Sequence, residues 1–125
     1  MFKKKIFFHA DDFGRTTAIS KNILRCIEFG NINSVSVIIN KNDNLHKKLK
    51  KLKRIKKKLH LNLTDSTELS DSKNRKLFNK INFFSLFFLN ESEKTKIKSE
   101  IVFQIENYIK LYKPKNLKID GHQHV

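Results

Sequence analysis

Ile6, Phe7 and Phe8 form a short apolar run that stops at a polar cluster, His9 to Gly14. Such a run predicts a strand buried on both faces, followed by a loop. From Thr17 onward Ile19, Ile23, Cys26 and Ile27 recur at helical spacing, and Gly30 supplies a C-terminal cap. Cys26 on that stripe reads as a small buried hydrophobe rather than a reactive thiol. The β-branched run Ser34 to Ile39 predicts a second buried strand. Leu45, Leu49, Leu52 and Ile55 then share one face of a second helix whose other faces are filled with lysine. Leu59, Leu61 and Leu63 alternate with His60, Asn62 and Thr64, the period of a strand with one polar face, so His60 points away from the leucines.

Residues 65–90 carry no clean period and receive no assignment. Asn90 followed by Glu93 resembles a capping box, and Ile97, Ile101, Ile105, Tyr108 and Tyr112 continue as a helical stripe that Pro114 terminates. Leu117 to Asp120 reads as a fourth strand running into Gly121, His122, Gln123 and His124. Alternating strands and helices of this kind predict an α/β fold with parallel strands, either an open sheet or a barrel. Pattern alone does not choose between them. No repeat or linker interrupts the chain, so residues 1–125 are taken as one domain.

Composition changes this picture little. The net charge of +15 suggests a nucleic-acid footprint, but Asn, Ile and Phe are enriched together with Lys, and a mutational bias toward AT-rich codons accounts for that set equally well. The basic run Lys47 to Lys58, nine Lys or Arg in twelve positions, lacks aromatic residues for base stacking. It reads first as a solvated face and only second as a nucleic-acid-binding module. One cysteine excludes an internal disulfide, and neither a cleavable leader nor an apolar stretch of about 18 residues is visible. The expectation is a soluble, cytoplasmic protein with no membrane partner.

Chemistry concentrates at three places that this architecture brings to one rim: Asp11 and Asp12 after the first strand, His60 on the third, and His122 with His124 after the fourth. In parallel α/β barrels the carboxyl ends of the strands converge on one concavity. Adjacent carboxylates at a buried rim are costly unless a proton or cation neutralises them. One carboxylate and two imidazoles with open positions suit a catalytic divalent ion, leaving the second carboxylate to act as a base. Each signal has a plainer reading. Asp-Asp before Phe-Gly is a common turn, a lone strand histidine is usually just hydrogen-bonded, and His122 and His124 at i and i+2 arise by chance.

Four segments carry a further pattern: HADDFG at 9–14, NSVSVIIN at 33–40, HLNLT at 60–64 and IDGHQHV at 119–125. In this order they resemble the YdjC or ChbG-like carbohydrate deacetylases, in which Asn commonly stands where this chain has His9. The resemblance implies the N-terminal half of a deformed (β/α) TIM-like barrel that hydrolyses the N-acetyl group of acetylated amino sugars such as chitooligosaccharides. It also implies a divalent metal, Mg2+ by family and Zn2+ by ligand type, held by Asp12, His60 and His122. Asp11 would be the base that deprotonates water, with His124 close by. We add that Asp120 would orient a ligand histidine. Members of the family continue beyond the point matched by Val125, so the expected partners include a complementing C-terminal half or a second copy. Another metal-dependent hydrolase on the same scaffold is the remaining alternative.

Overall fold

A computed structural model describes residues 6, 8–39, 43–64, 78 and 85–122. Its elements in chain order are β1 (His9–Phe13), α1 (Thr17–Glu28), β2 (Ser34–Val37), α2 (Asp43–Lys51), β3 (Lys56–Leu61), a 3-10 turn (Ser85–Phe88), α3 (Glu91–Tyr112) and β4 (Ile119–Gly121). The strands form a single sheet in the order β1-β2-β3-β4, every neighbouring pair parallel.

Both long helices begin and end where their local chemistry dictates. Thr16 caps α1 by accepting from the Ile19 amide, a contact typically worth about 1 kcal/mol. At its C-terminus Gly30 takes φ 80°, donating to the Ile27 carbonyl while Asn31 donates to Cys26. This is the paired 5→2 and 6→1 closure of a Schellman motif. The expected capping box opens α3, with Asn90 and Glu93 bonding each other's backbone, and Lys113 in the left-handed conformation closes it ahead of Pro114.

One cluster of buried side chains unites Phe13, Val35, Val37 and Leu59 of the sheet with Ile23 and Ile27 of α1, Leu45 and Leu49 of α2, and Tyr108 of α3. All three helices therefore cover the same sheet face. Right-handed crossovers in an order that never reverses place successive helices on one side, whereas a doubly wound sheet requires a reversal. The opposite face carries His9, Ser34, Ser36, Lys58, His60 and Asp120, which bond to one another instead of to a hydrophobic layer.

Three expectations shift. The first strand is not the apolar run: Ile6 and Phe8 are 71% and 62% exposed, and pairing with β2 starts at His9. The strand's contribution to the core is Phe13, fully buried, a residue assigned from sequence to the loop. The second helix ends at Lys51, so Ile55 reaches the core from the following turn rather than from the helix face. As a result the basic run is divided among a helix end, a turn and a strand. Arg54 donates to the Ile27 carbonyl, Lys57 to the carbonyls of Leu52 and Ile55, and Lys58 reaches Asp120 on the other sheet face. A continuous phosphate-tracking stripe does not form from these residues. The third strand, finally, starts three residues early at Lys56; Leu63 leaves it to join Phe78 and Ile97 in a second small cluster.

Candidate metal centre

The segment that carries Asp12 is bent by a bulge. Between Ala10 and Phe13 the first strand advances three residues while β2 advances two, from Val35 to Val37. Asp12 absorbs the extra residue with φ 66°, a left-handed conformation that aspartate tolerates better than most side chains. The turn is locked by the Arg15 amide donating to the Asp12 carbonyl at 3.0 Å, and the Arg15 guanidinium lies 3.3 Å from Asp12 Oδ2. With Oδ2 held there, Oδ1 faces the carboxyl ends of β3 and β4. It lies 2.9 Å from His122 Nδ1 and 3.4 Å from His60 Nε2, and those two nitrogens are 3.3 Å apart. Both imidazoles are buried.

Hydrogen bonding fixes the His60 tautomer. Asp120 Oδ1 lies 2.7 Å from His60 Nδ1 and can only accept, so the proton is on Nδ1 and Nε2 turns a lone pair toward Asp12 and His122. A metal-bound imidazole is usually oriented this way by a carboxylate behind it. Burial alone would raise the Asp120 carboxyl. The hydrogen bonds from Ser36 and His60, followed by the electrostatic attraction of the His60 ring and Lys58, outweigh burial and hold it below its ordinary value.

The donor set fits a divalent cation. Asp12 Oδ1 and His122 Nε2 are buried without a hydrogen-bond partner among the described residues, so the 2.9 Å approach of Oδ1 to His122 is not an aligned hydrogen bond. Leaving a buried carboxylate oxygen unpaired costs about 1–3 kcal/mol or more, a cost that a cation removes. The spacing agrees. Donor atoms about 2.1 Å from a common centre are about 3.0 Å apart in octahedral and about 3.4 Å apart in tetrahedral geometry, the range spanned by the three separations.

Asp11 is not in this group. Its carboxylate is largely exposed and joins His9 and Asp120 in a neighbouring cluster whose ligating atoms lie within 4.8 Å of one another. Arg15, Ser34, Ser36 and Lys58 complete the polar surroundings, and none of them was expected at this site from the sequence. The usable signal was the alternation SVSV: it puts Ser34 and Ser36 on one face, and the register pairs Ser34 with His9. His124 lies outside the described residues. Among the described residues no helix is long and apolar enough to cross a membrane.

A singly wound parallel sheet with one carboxylate and two imidazoles converging at its strand ends defines an α/β protein with a candidate cation site. Sequence comparison narrows that class: residues 5–125 match the family described as YdjC-like protein, and the chain belongs to it. A carbohydrate deacetylase of Danio rerio is 27% identical over 132 residues, an alignment that covers 98% of this chain and 42% of that protein. The chain thus spans less than half the length of this relative. No solved structure matches.

Proposed function

We propose that the chain forms the metal-binding part of a (β/α) barrel that removes the N-acetyl group from acetylated amino sugars or chitooligosaccharides. The observation that carries this reading is the convergence of Asp12 Oδ1, His60 Nε2 and His122 Nδ1 within 3.4 Å of one another, in a family with a relative named as a carbohydrate deacetylase. The one-sided placement of the helices supports the barrel, because a closed barrel keeps every helix outside and its polar chemistry at the strand ends. Division of the basic run between two sheet faces weighs against the nucleic-acid alternative.

In this reading Asp12, His60 and His122 hold the divalent ion, which supplies Lewis-acid polarisation of the acetamide carbonyl and a more acidic water. The Asp120 carboxylate keeps His60 in the ligating tautomer. Asp11, beside the site and not engaged in ligation, takes the proton of the attacking water. Water adds to the amide carbon, the C–N bond breaks as the proton taken by Asp11 is passed to the leaving nitrogen, and acetate and the free amino sugar leave. The family resemblance favours Mg2+, whereas two imidazoles with one carboxylate also suit Zn2+.

The test is acetate release from N-acetylated glucosamine oligomers after loading with each metal and after chelation. Activity should require the metal. Asp11→Asn should bind the metal as the parent does while losing about 10²- to 10⁴-fold in kcat, the usual contribution of a general base. Full turnover by that variant removes Asp11 from the role of base, and a metal-dependent product other than acetate points to a different hydrolase on this scaffold.

A further inference from the structure

The geometry points to His9 as the positioning residue for Asp11, and as the link that sets Asp11 in register with the histidine ligand on β3. The assignment rests on the deacetylase reading only in taking Asp11 as the base.

His9 opens β1 on the polar sheet face, with its ring lying across β2. Nδ1 is 2.8 Å from Ser34 Oγ, and Nε2 is 2.8 Å from Ser36 Oγ and 3.0 Å from Asp11 Oδ1. Ser36, fully buried, spends its single hydroxyl proton on Asp120 Oδ2 at 2.6 Å. Its oxygen can therefore only accept from His9, and so can the Asp11 carboxylate. Both neighbours of Nε2 being acceptors, the proton of His9 is on Nε2 and is shared between them. From Asp120 the chain continues through Oδ1 to His60 Nδ1 at 2.7 Å. One connected path thus joins all four strands: Asp11 and His9 on β1, Ser36 on β2, Asp120 on β4 and His60 on β3.

The plainer account is a surface His–Asp contact, which is usually worth little in stability. It explains the 3.0 Å contact but not why the same nitrogen bonds a fully buried serine, nor why a second serine fixes the far side of the ring. An imidazole anchored at two points behaves as a rigid donor, and rigid orientation of the reacting group is what a positioning residue supplies.

Two variants separate the accounts. His9→Gln keeps a donor at the distance of Nε2, whereas His9→Ala removes it. The 125-residue chain is labelled with 15N and 13C, and the His9 ring nitrogens and Asp11 carboxyl carbon are observed alongside Zn2+ and Mg2+ titrations and acetate-release kinetics. The expected results are an Nε2–H tautomer for His9 and an Asp11 carboxyl resonance that moves in His9→Ala but stays near the parent in His9→Gln. In His9→Ala kcat should fall about 10- to 100-fold with little change in KM, as for a misplaced catalytic group, and His9→Gln should recover most of it. Cation affinity should stay within about threefold in both, since no ligand is removed. An Nδ1–H tautomer, an unmoved Asp11 resonance in His9→Ala, or a kcat loss that Gln fails to rescue overturns the assignment. If the parent chain releases no acetate with either metal, both alone and with a complementing C-terminal half, the deacetylase reading falls, and the tautomer and carboxyl resonances still decide whether His9 holds Asp11.

Discussion

Gly14 offers the sharpest test of how the bulged segment holds Asp12. It sits at φ 100°, and a Cβ built there would lie 2.1 Å from the carbonyl oxygen of Ile38 and 3.1 Å from His46 Cε1. The nearest obstacle is backbone, so it cannot rotate away. Gly30 is the natural control: φ is 80°, yet nothing lies within 4 Å of the added carbon. Gly30→Ala therefore costs only the strain of a left-handed alanine, about 1–2 kcal/mol, less a few tenths from stiffening the unfolded chain. Gly14→Ala bears a comparable strain plus an overpacking cost of about 1–3 kcal/mol, for a total of about 2–5 kcal/mol. That is a large share of the roughly 5–15 kcal/mol stability of an ordinary domain. Urea unfolding followed by circular dichroism should place the Gly14→Ala midpoint about 0.3–3 M below that of Gly30→Ala, given an overpacking difference of about 1–3 kcal/mol and typical urea slopes of about 1–3 kcal/mol per molar. Cation affinity should fall in Gly14→Ala alone, because relief of the clash must move the turn that Asp12 and Arg15 share. Equal midpoints for the two variants would refute the close packing of Gly14 under Ile38.

Two further outcomes are expected. Asp120→Asn removes the carboxylate behind His60 and should weaken Zn2+ or Mg2+ binding about 10- to 100-fold in calorimetric titrations while the helical signal persists; unchanged affinity in a folded variant would show that Asp120 does not orient the ligand. The chain has only two tyrosines, Tyr108 and Tyr112, so absorbance at 295 nm reports them alone. Burial, followed by the negative charge of Asp120, pushes Tyr108 up to about 12, and burial, followed by Tyr108, raises Tyr112 further. The folded state thus keeps protons that the unfolded chain releases above about pH 10, so this stability is complete below pH 10 and is lost as pH climbs toward 12. Lys57, lowered by burial, works in the opposite sense as pH nears its ordinary value. Phenolate should appear together with loss of helix, and a titration centred near 10 with the helix intact would contradict the burial of Tyr112, whose hydroxyl lies 2.8 Å from His46 Nδ1.

Much of the architecture was legible in the sequence because it is set by short-range periodicity. The stripe of α3 and its Asn90–Glu93 box, the Gly30 cap and the separation of His60 from Leu59 each follow from spacing within a few residues. Periodicity also placed the segments bearing Asp12, His60 and His122 at strand ends, which the parallel order of the sheet brings together, whereas the choice of these three over Asp11 and His124 came from the family resemblance. Burial of the first strand was misjudged because hydrophobicity marks what a segment could bury, not which segment pairs. Here pairing begins at His9, where the ring can bond Ser34 and Ser36, and the preceding Ile6 and Phe8 are left exposed. The extent of α2 was overestimated for a related reason, since Leu52 and Ile55 continue the helical spacing after the chain has turned toward β3.

What sequence periodicity does not encode is the wiring of the polar sheet face. Contacts from His9 to Ser36, Ser36 to Asp120 and Asp120 to His60 span 27, 84 and 60 residues, and each depends on the register between neighbouring strands. A one-residue slip of β2 would turn Ser34 and Ser36 into the hydrophobic layer and Val35 and Val37 onto the polar face. The hydrophobic contacts that fix this register, Val35 and Val37 against the helices, therefore also fix which hydroxyls meet His9 and Asp120. In this fold the core and the candidate site are two faces of one pairing pattern. A core substitution that shifted the β2 register would be expected to disconnect His60 from Asp11 even though it touched neither residue.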